Sequence, residues 1–264
     1  MTFACLLSRI TRSGVLFLAA VAGISAAPIQ SPIDIRSENT VFTNFPELMF
    51  SFSSNTPLDL LNNGSPDVEA TIRANLPSGA GALTVGGDLW PLLQFHFHTK
   101  SEHTINGVGS DMEMHMVFQQ ASGEYLVVGR MLEVGSFNPL MDTIFSNLPP
   151  AAGGTFHVPS FDLAGLLPSN LESFRYTGSL TTPPFTEGVN WVLLNQPMQL
   201  SQTQIDSFRA LFPDGNERDI QALNGRTILT DVPGFASSVP EPRTYATAAA
   251  GLMIVAIGLR RKGR

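Results

Sequence analysis

The chain has 264 residues, 43% of them hydrophobic, which is enough for one sizeable core. Residues 28–238 hold 8 Lys and Arg against 21 Asp and Glu, a balance of −13. So acidic a surface repels phosphate backbones and anionic lipid headgroups, which argues against nucleic acid as a partner.

In chain order, residues 1–27 carry Arg9 and Arg12, an apolar run from Val15 to Ile24, and then Ser25-Ala26-Ala27. A charged start, an apolar middle and a small-residue end read as an export signal to be removed by signal peptidase; those flanks argue against a buried helix. The only cysteine, Cys5, lies inside that segment, so the mature chain has no internal disulfide and its core must carry stability unaided.

No period of 20 to 50 residues recurs beyond the signal, so no repeat architecture is expected. Short apolar or alternating runs broken by Gly, Pro and Asn predict strands, among them Leu48–Phe52, Val68–Ala74, Leu92–His98, Met112–Gln119, Tyr125–Glu133 and Asn190–Leu194. Helical spacing is confined to Leu140–Leu148 and Gln202–Leu211, the second capped by Ser201 and followed by Pro213. These elements predict a mainly β (α+β) single domain over residues 28–235. Arg130 stands in a run, Leu126 to Leu132, that should be largely buried, where it is costly unless it faces solvent or pairs with a carboxylate.

Four of the five histidines fall between positions 96 and 115. With strand periodicity, Gln94, His96 and His98 share one face while Phe95 and Phe97 take the other. In the next run, Glu113, His115 and Val117 share a face, and Met112, Met114 and Met116 lie on the reverse. Pairing the two strands gathers His96, His98 and His115, a donor set that suits Zn²⁺ with a fourth position open to water. Gln94 and Glu113 stand where they can accept the far N–H of a liganding ring. His-x-His alone is equally compatible with a satisfied buried pair; the third histidine beside an in-register Glu singles out a metal. His157, in Thr155-Phe156-His157-Val158-Pro159, has no partner motif and reads as a surface or edge residue.

Gln94-Phe95-His96-Phe97-His98, Ser101-Glu102-His103-Thr104 and Glu113-Met114-His115 resemble the α-class (eukaryotic-type) carbonic anhydrases. So do Tyr176-Thr177-Gly178-Ser179-Leu180-Thr181-Thr182-Pro183-Pro184 with Glu187 and Trp191, Gln30-Ser31-Pro32-Ile33-Asp34-Ile35, and Leu61-Asn62-Asn63-Gly64. The resemblance covers roughly residues 30 to 230. It implies a large twisted, mostly antiparallel central sheet with a few short peripheral helices, and reversible hydration of CO₂ to bicarbonate and a proton. In that chemistry Zn²⁺ lowers the pKa of a bound water from 15.7 to about 7, and the resulting hydroxide attacks CO₂.

By the same resemblance, Thr181 orients the nucleophile and donates its proton to Glu102, which as a carboxylate can only accept. Val117, Val127, Leu180, Thr182 and Trp191 match the substrate-pocket positions, an apolar wall suited to CO₂. His103 matches a structural, hydrogen-bonding residue, not a ligand. Two departures stand out. The position that carries a proton-shuttling His in fast relatives is Ser65, which has no titratable group near neutrality, so slow, buffer-dependent turnover is expected. The family also has about two dozen residues before Gln-Ser-Pro, whereas cleavage after Ala27 leaves only Pro28-Ile29, so part of the cavity wall is missing or replaced. The alternative from another class is a non-catalytic or weakly active, surface-displayed binding module that keeps the fold.

The C-terminal segment, 236–264, contains Val239-Pro240-Glu241-Pro242, an apolar run from Ala246 to Leu259 and the cluster Arg260-Arg261-Lys262-Gly263-Arg264. It resembles the PEP-CTERM sorting signal of Gram-negative bacteria, which implies an exosortase-type processing partner and membrane contact before processing. The apolar run is short of the ~20 residues of a comfortable span, which fits a transient transmembrane helix; a permanent anchor is the alternative. Either way the expected location is the periplasm, outer envelope or cell surface.

Overall fold

The computed structural model describes residues 27–64 and 70–237. Fourteen strands run in the order β1 (Asp34–Ile35), β2 (Thr40–Phe42), β3 (Met49–Phe52), β4 (Thr56–Asn62), β5 (Ile72–Asn75), β6 (Gly81–Val85), β7 (Asp88–His98), β8 (Thr104–Ile105), β9 (Met112–Gln119), β10 (Tyr125–Val134), β11 (Thr155–Phe161), β12 (Ser173–Ser179), β13 (Glu187–Leu200) and β14 (Ile228–Thr230). Twelve form one sheet, whose main path is β11-β4-β5-β7-β9-β10-β13-β12-β14-β2, with β6 alongside β7 and β3 alongside β6. Its pairs are antiparallel except β10–β13 and β14–β2. The expected mainly β, mostly antiparallel single domain is what the chain forms.

Only two α-helices occur among the described residues, α1 (Pro139–Phe145) and α2 (Gln202–Arg209). Asn138 caps α1 by accepting from Met141 N, with Pro139 in the first turn, where its missing N–H costs nothing. Ser201 and Gln204 form a reciprocal capping box at the start of α2. Both helices lie within a residue or so of their expected starts and end earlier, because each closes in a tight turn, at Ser146 and at Ala210.

The central sheet has two apolar faces. Phe95, Phe97, Met112, Met114, Met116 and Phe118 turn one way and meet Met141, Ile144, Phe145, Ile205 and Phe208 of the helices. Each fully buried Phe or Met contributes about 1.5–3 kcal/mol, so this face holds the sheet flat against its helical cover. The opposite face holds a smaller cluster built on Ile33, Ile35, Val117, Val127, Tyr176 and Trp191. The polar side chains of β7 and β9 emerge on this second side, the alternation that places a site there.

Arg130 corrects an expectation. It is 5% exposed and its guanidinium donates not to a carboxylate but to three backbone carbonyls, those of Leu166 (2.7 Å), Gln196 (3.1 Å) and Pro197 (3.2 Å). The fork of N–H donors meets two peptide oxygens of β13 at the register shift around Pro197 and one at the end of the turn Leu163–Leu166. His157 is exposed on the edge strand β11, beside Asp59 at 2.7 Å. Ser65, the export signal up to Ala26 and the C-terminal segment beyond Ser237 lie outside the described residues. Among those that are described, no helix is long and apolar enough to cross a membrane.

Candidate metal centre

β7 and β9 pair antiparallel with His96 opposite His115 and His98 opposite Glu113. That register, with the two-residue period of each strand, brings the three rings together. Their centroids lie 5.0 Å (His96–His98), 5.2 Å (His96–His115) and 4.6 Å (His98–His115) apart. One ring nitrogen from each lies within 4.8 Å of the other two, and all three residues are buried.

The outer nitrogens fix which atom each ring offers. His96 Nδ1–H donates to Gln94 Oε1 at 2.9 Å, and His98 Nδ1–H to the carbonyl of Asn216 at 3.2 Å, so both present Nε2. His115 does the reverse: Nε2–H donates to Glu113 Oε1 at 2.8 Å and Nδ1 is presented. Three imidazoles, each held by a carboxamide, carbonyl or carboxylate, form a donor set that fits Zn²⁺. A second group, His103, Glu113 and His115, also lies within ligand range. There, however, His103 Nδ1 (2.7 Å) and His115 Nε2 (2.8 Å) are both spent on Glu113 Oε1, so that group is a hydrogen-bonded cluster.

Glu113 also accepts from the backbone N–H of His103 at 2.8 Å. Burial pushes its carboxyl pKa up, but the His103 and His115 rings hold it well below the usual carboxylate range. His115 shows the converse balance: burial lowers its pKa, and Glu113 only partly restores it. The cluster continues through His103 Nε2, 2.7 Å from the Tyr176 hydroxyl, which lies 2.8 Å from Ser31 Oγ. Burial raises the Tyr176 pKa well above its ordinary value. His103 is therefore structural, as the sequence implied.

Glu102 is 2% exposed, and Oε1 accepts from the Arg218 backbone N–H at 2.9 Å. Its carboxylate lies 3.5 Å from His98 Nδ1 and 3.8 Å from His115 Nδ1. Thr181 is buried in the turn between β12 and β13, which is closed by Leu180 N–H to Thr186 O (2.9 Å) and Phe185 N–H to Thr182 O (2.8 Å). The Arg218 guanidinium ties this turn to the N-terminal segment, lying over the Phe185 ring at 3.8 Å and donating to Ser31 O (2.7 Å) and Gln30 Oε1 (3.0 Å).

A cavity of about 230 Å³ opens over His96 and His115. Gln94, Thr181 and all five residues expected on the pocket wall (Val117, Val127, Leu180, Thr182 and Trp191) line it. Trp191 is pinned by its indole N–H to Ser179 O at 2.9 Å. Sequence reasoning missed three lining residues, Arg73, Leu93 and Tyr125, and two supports, Asn216 and Gly129. Asn216 clamps the end of β7, accepting from Thr99 N (2.7 Å) and donating to Phe97 O (2.9 Å) and Ala70 O (2.7 Å). A Cβ on Gly129 would come within 2.7 Å of Leu193 Cδ1 and 3.0 Å of Glu113 Oε1.

A family model described as eukaryotic-type carbonic anhydrase matches residues 22–232. A carbonic anhydrase of Klebsiella pneumoniae is 38% identical over 202 residues, covering 76% of this chain and 79% of that protein. One from Neisseria gonorrhoeae is 36% identical, covering 76% of each. Among solved structures, the α-carbonic anhydrase of Thermovibrio ammonificans in complex with the inhibitor sulfanilamide superimposes with a TM-score of 0.71 at 35% identity, covering 76% of this chain and 86% of that one. A carbonic anhydrase from Chlamydomonas reinhardtii in complex with acetazolamide gives 0.71 at 31% identity, covering 85% and 100%.

Proposed function

This chain belongs to the eukaryotic-type, or α-class, carbonic anhydrases, zinc enzymes that interconvert CO₂ and bicarbonate, and from that premise we propose how its residues divide the work. His96 and His98 through Nε2, and His115 through Nδ1, hold the zinc ion. When bound, the ion supplies the Lewis acidity that brings the pKa of a coordinated water to about 7. Gln94 and Glu113 hold the tautomers of His96 and His115, and the carbonyl of Asn216 does the same for His98. The Thr181 hydroxyl would accept a hydrogen bond from the nucleophile and donate its own to Glu102, a carboxylate that can only accept and whose Oε1 is engaged by Arg218 N–H. The apolar wall of Val117, Val127, Leu180 and Trp191 admits CO₂, which brings no charge or strong dipole to be solvated.

One observation carries this division of roles: three buried imidazoles with their far nitrogens already committed converge beneath a cavity with an apolar wall. No observation favours the non-catalytic module. Stopped-flow CO₂ hydration on the purified domain, with and without a chelator, tests the reading. A chelator-sensitive rate is expected, lost in His96→Ala and inhibited by a primary sulfonamide of the kind bound in the Thermovibrio structure; a rate indifferent to chelation overturns it.

The proposal extends to the ends of the chain. Residues 1–27 direct export, 28–235 form the catalytic domain and 236–264 act as a PEP-CTERM-like sorting segment, with signal peptidase and an exosortase-type enzyme as partners. Arg9, Arg12 and the Val15–Ile24 run support the first, and Pro240-Glu241-Pro242 with the terminal basic cluster supports the last. The enzyme then works in the periplasm, outer envelope or cell surface of a Gram-negative bacterium. Intact-mass measurement of the protein recovered from the envelope is expected to show both segments missing; a retained C-terminus supports a permanent anchor instead.

A further inference from the structure

The cavity above the histidines is lined by a permanently charged side chain that the proposed mechanism does not use. Arg73 lies on β5 directly opposite His96 on β7. Paired residues on one face of a sheet have Cβ atoms about 4.5–5.5 Å apart, so Arg73 projects on the side of the sheet that carries the metal centre. It is half-buried and lines the cavity with Gln94, His96 and Thr182. Nε–H donates to Asn75 Oδ1 at 2.8 Å, which anchors the head, and the remaining four N–H donors belong to its two terminal amino groups. Of the residues lining the cavity, the others are apolar, neutral polar or imidazole.

We propose that Arg73 and the adjoining wall form an anion subsite that holds bicarbonate, and small carboxylate-like anions of the same shape, beside the metal centre. The proposal rests on the carbonic anhydrase reading and deepens it. Bicarbonate is planar and bears one negative charge over two oxygens, the shape that a guanidinium fork matches. CO₂ has no charge for it to hold. An apolar wall of Val117, Val127, Leu180 and Trp191 solvates an anion poorly, and the acidic surface of the domain repels one. A fixed cation at the wall offsets both and stabilises the bound anion relative to bulk water.

The test is a bicarbonate titration of the Co²⁺-substituted protein at fixed pH and ionic strength, followed by visible absorption, for wild type, Arg73→Gln and Arg73→Lys. The Kd for bicarbonate is expected to rise about fivefold in Arg73→Gln, the size of one half-exposed charge-assisted contact, and less in Arg73→Lys. In the zinc enzyme, the KM for bicarbonate should rise in the same order. Variants that bind bicarbonate as tightly as a wild type active in CO₂ hydration overturn this proposal alone. A wild type with no chelator-sensitive hydration overturns the underlying reading and this proposal with it.

Discussion

His115 Nε2–H donates to the Glu113 carboxylate across 2.8 Å, with the two side chains 1% and 0% exposed. The same oxygen accepts from His103 Nδ1 at 2.7 Å, so one buried carboxylate fixes the tautomers of two rings. Glu113→Gln keeps the shape but removes the charge, and its amide can accept from only one oxygen. Zinc affinity should fall about 10- to 100-fold, the usual cost of losing an outer partner of a liganding His. Competition with a chromophoric chelator measures it; an unchanged affinity would show that strand geometry alone sets the ring.

Acid should destabilise the metal-free protein in two steps. Burial holds the His115 pKa below 6.5 despite Glu113, so the unfolded chain takes up that proton first as pH falls. The unfolded state then binds more protons than the native one, and stability drops as pH falls from 6.5 toward the native value. Glu113, held well below 4.5 by His103 and His115 against the effect of burial, adds a second loss as pH falls below 4.5. Thermal unfolding between about pH 7.5 and about pH 5.5 should show the first step, shallower in His115→Asn. Equal slopes would remove His115 as its source.

The centre was legible in the sequence because strand periodicity is a local property. Parity alone put His96 and His98 on one face and Phe95 and Phe97 on the other, and the antiparallel register supplied His115. The supports were not legible. Asn216 reaches the carbonyl of Phe97 from 119 positions away, out of a loop with no periodic pattern, and its side chain is one of many polar ones. Gly129 looks in the sequence like any strand glycine. Only in the fold does its bare Cα, opposite His115, make room for Leu193 and Glu113. Arg73 was hidden for a related reason: it lies in the expected Val68–Ala74 run, but the strand that forms is Ile72–Asn75, and only its pairing with β7 shows that Arg73 faces the metal side.

Gly129→Ala follows from that close approach. The new methyl must push either Leu193 or the Glu113 carboxylate. A shift of a few tenths of an ångström at Glu113 loosens the His115 bond. Overpacking of this kind costs about 1–3 kcal/mol. The variant should unfold at lower urea and bind zinc more weakly, and a double substitution with Leu193→Val should recover part of both losses. Failure of that rescue would place the strain on the carboxylate.

Arg130 tests how an irregular strand is satisfied. Burial pushes its pKa down to about 10, so it stays cationic at neutral pH while donating to Leu166, Gln196 and Pro197 carbonyls. Arg130→Met leaves the buried Leu166 carbonyl and the part-buried carbonyls of Gln196 and Pro197 without that donor, at about 1–3 kcal/mol each where water does not replace it. The urea midpoint should fall by an amount equivalent to about 2–4 kcal/mol. Arg130→Lys should recover little, because one ammonium cannot span three carbonyls. A methionine variant as stable as wild type would mean the carbonyls find other partners.

Proton release gives the most direct kinetic prediction. Each hydration cycle leaves a proton at the metal centre, and the residue after Leu61-Asn62-Asn63-Gly64 is Ser65, which cannot carry one near neutrality. His157 cannot take over, because it lies on the edge strand β11, three strands from β7, paired with Asp59. His103 is enclosed between Glu113 and Tyr176. With none of these able to carry a proton from the metal centre to bulk water, kcat should climb with imidazole buffer concentration while kcat/KM for CO₂, which reports the chemical step, stays level. Ser65→His should flatten that dependence and raise kcat in dilute buffer. A wild-type kcat indifferent to imidazole would require a proton path through the chain that none of these three side chains supplies.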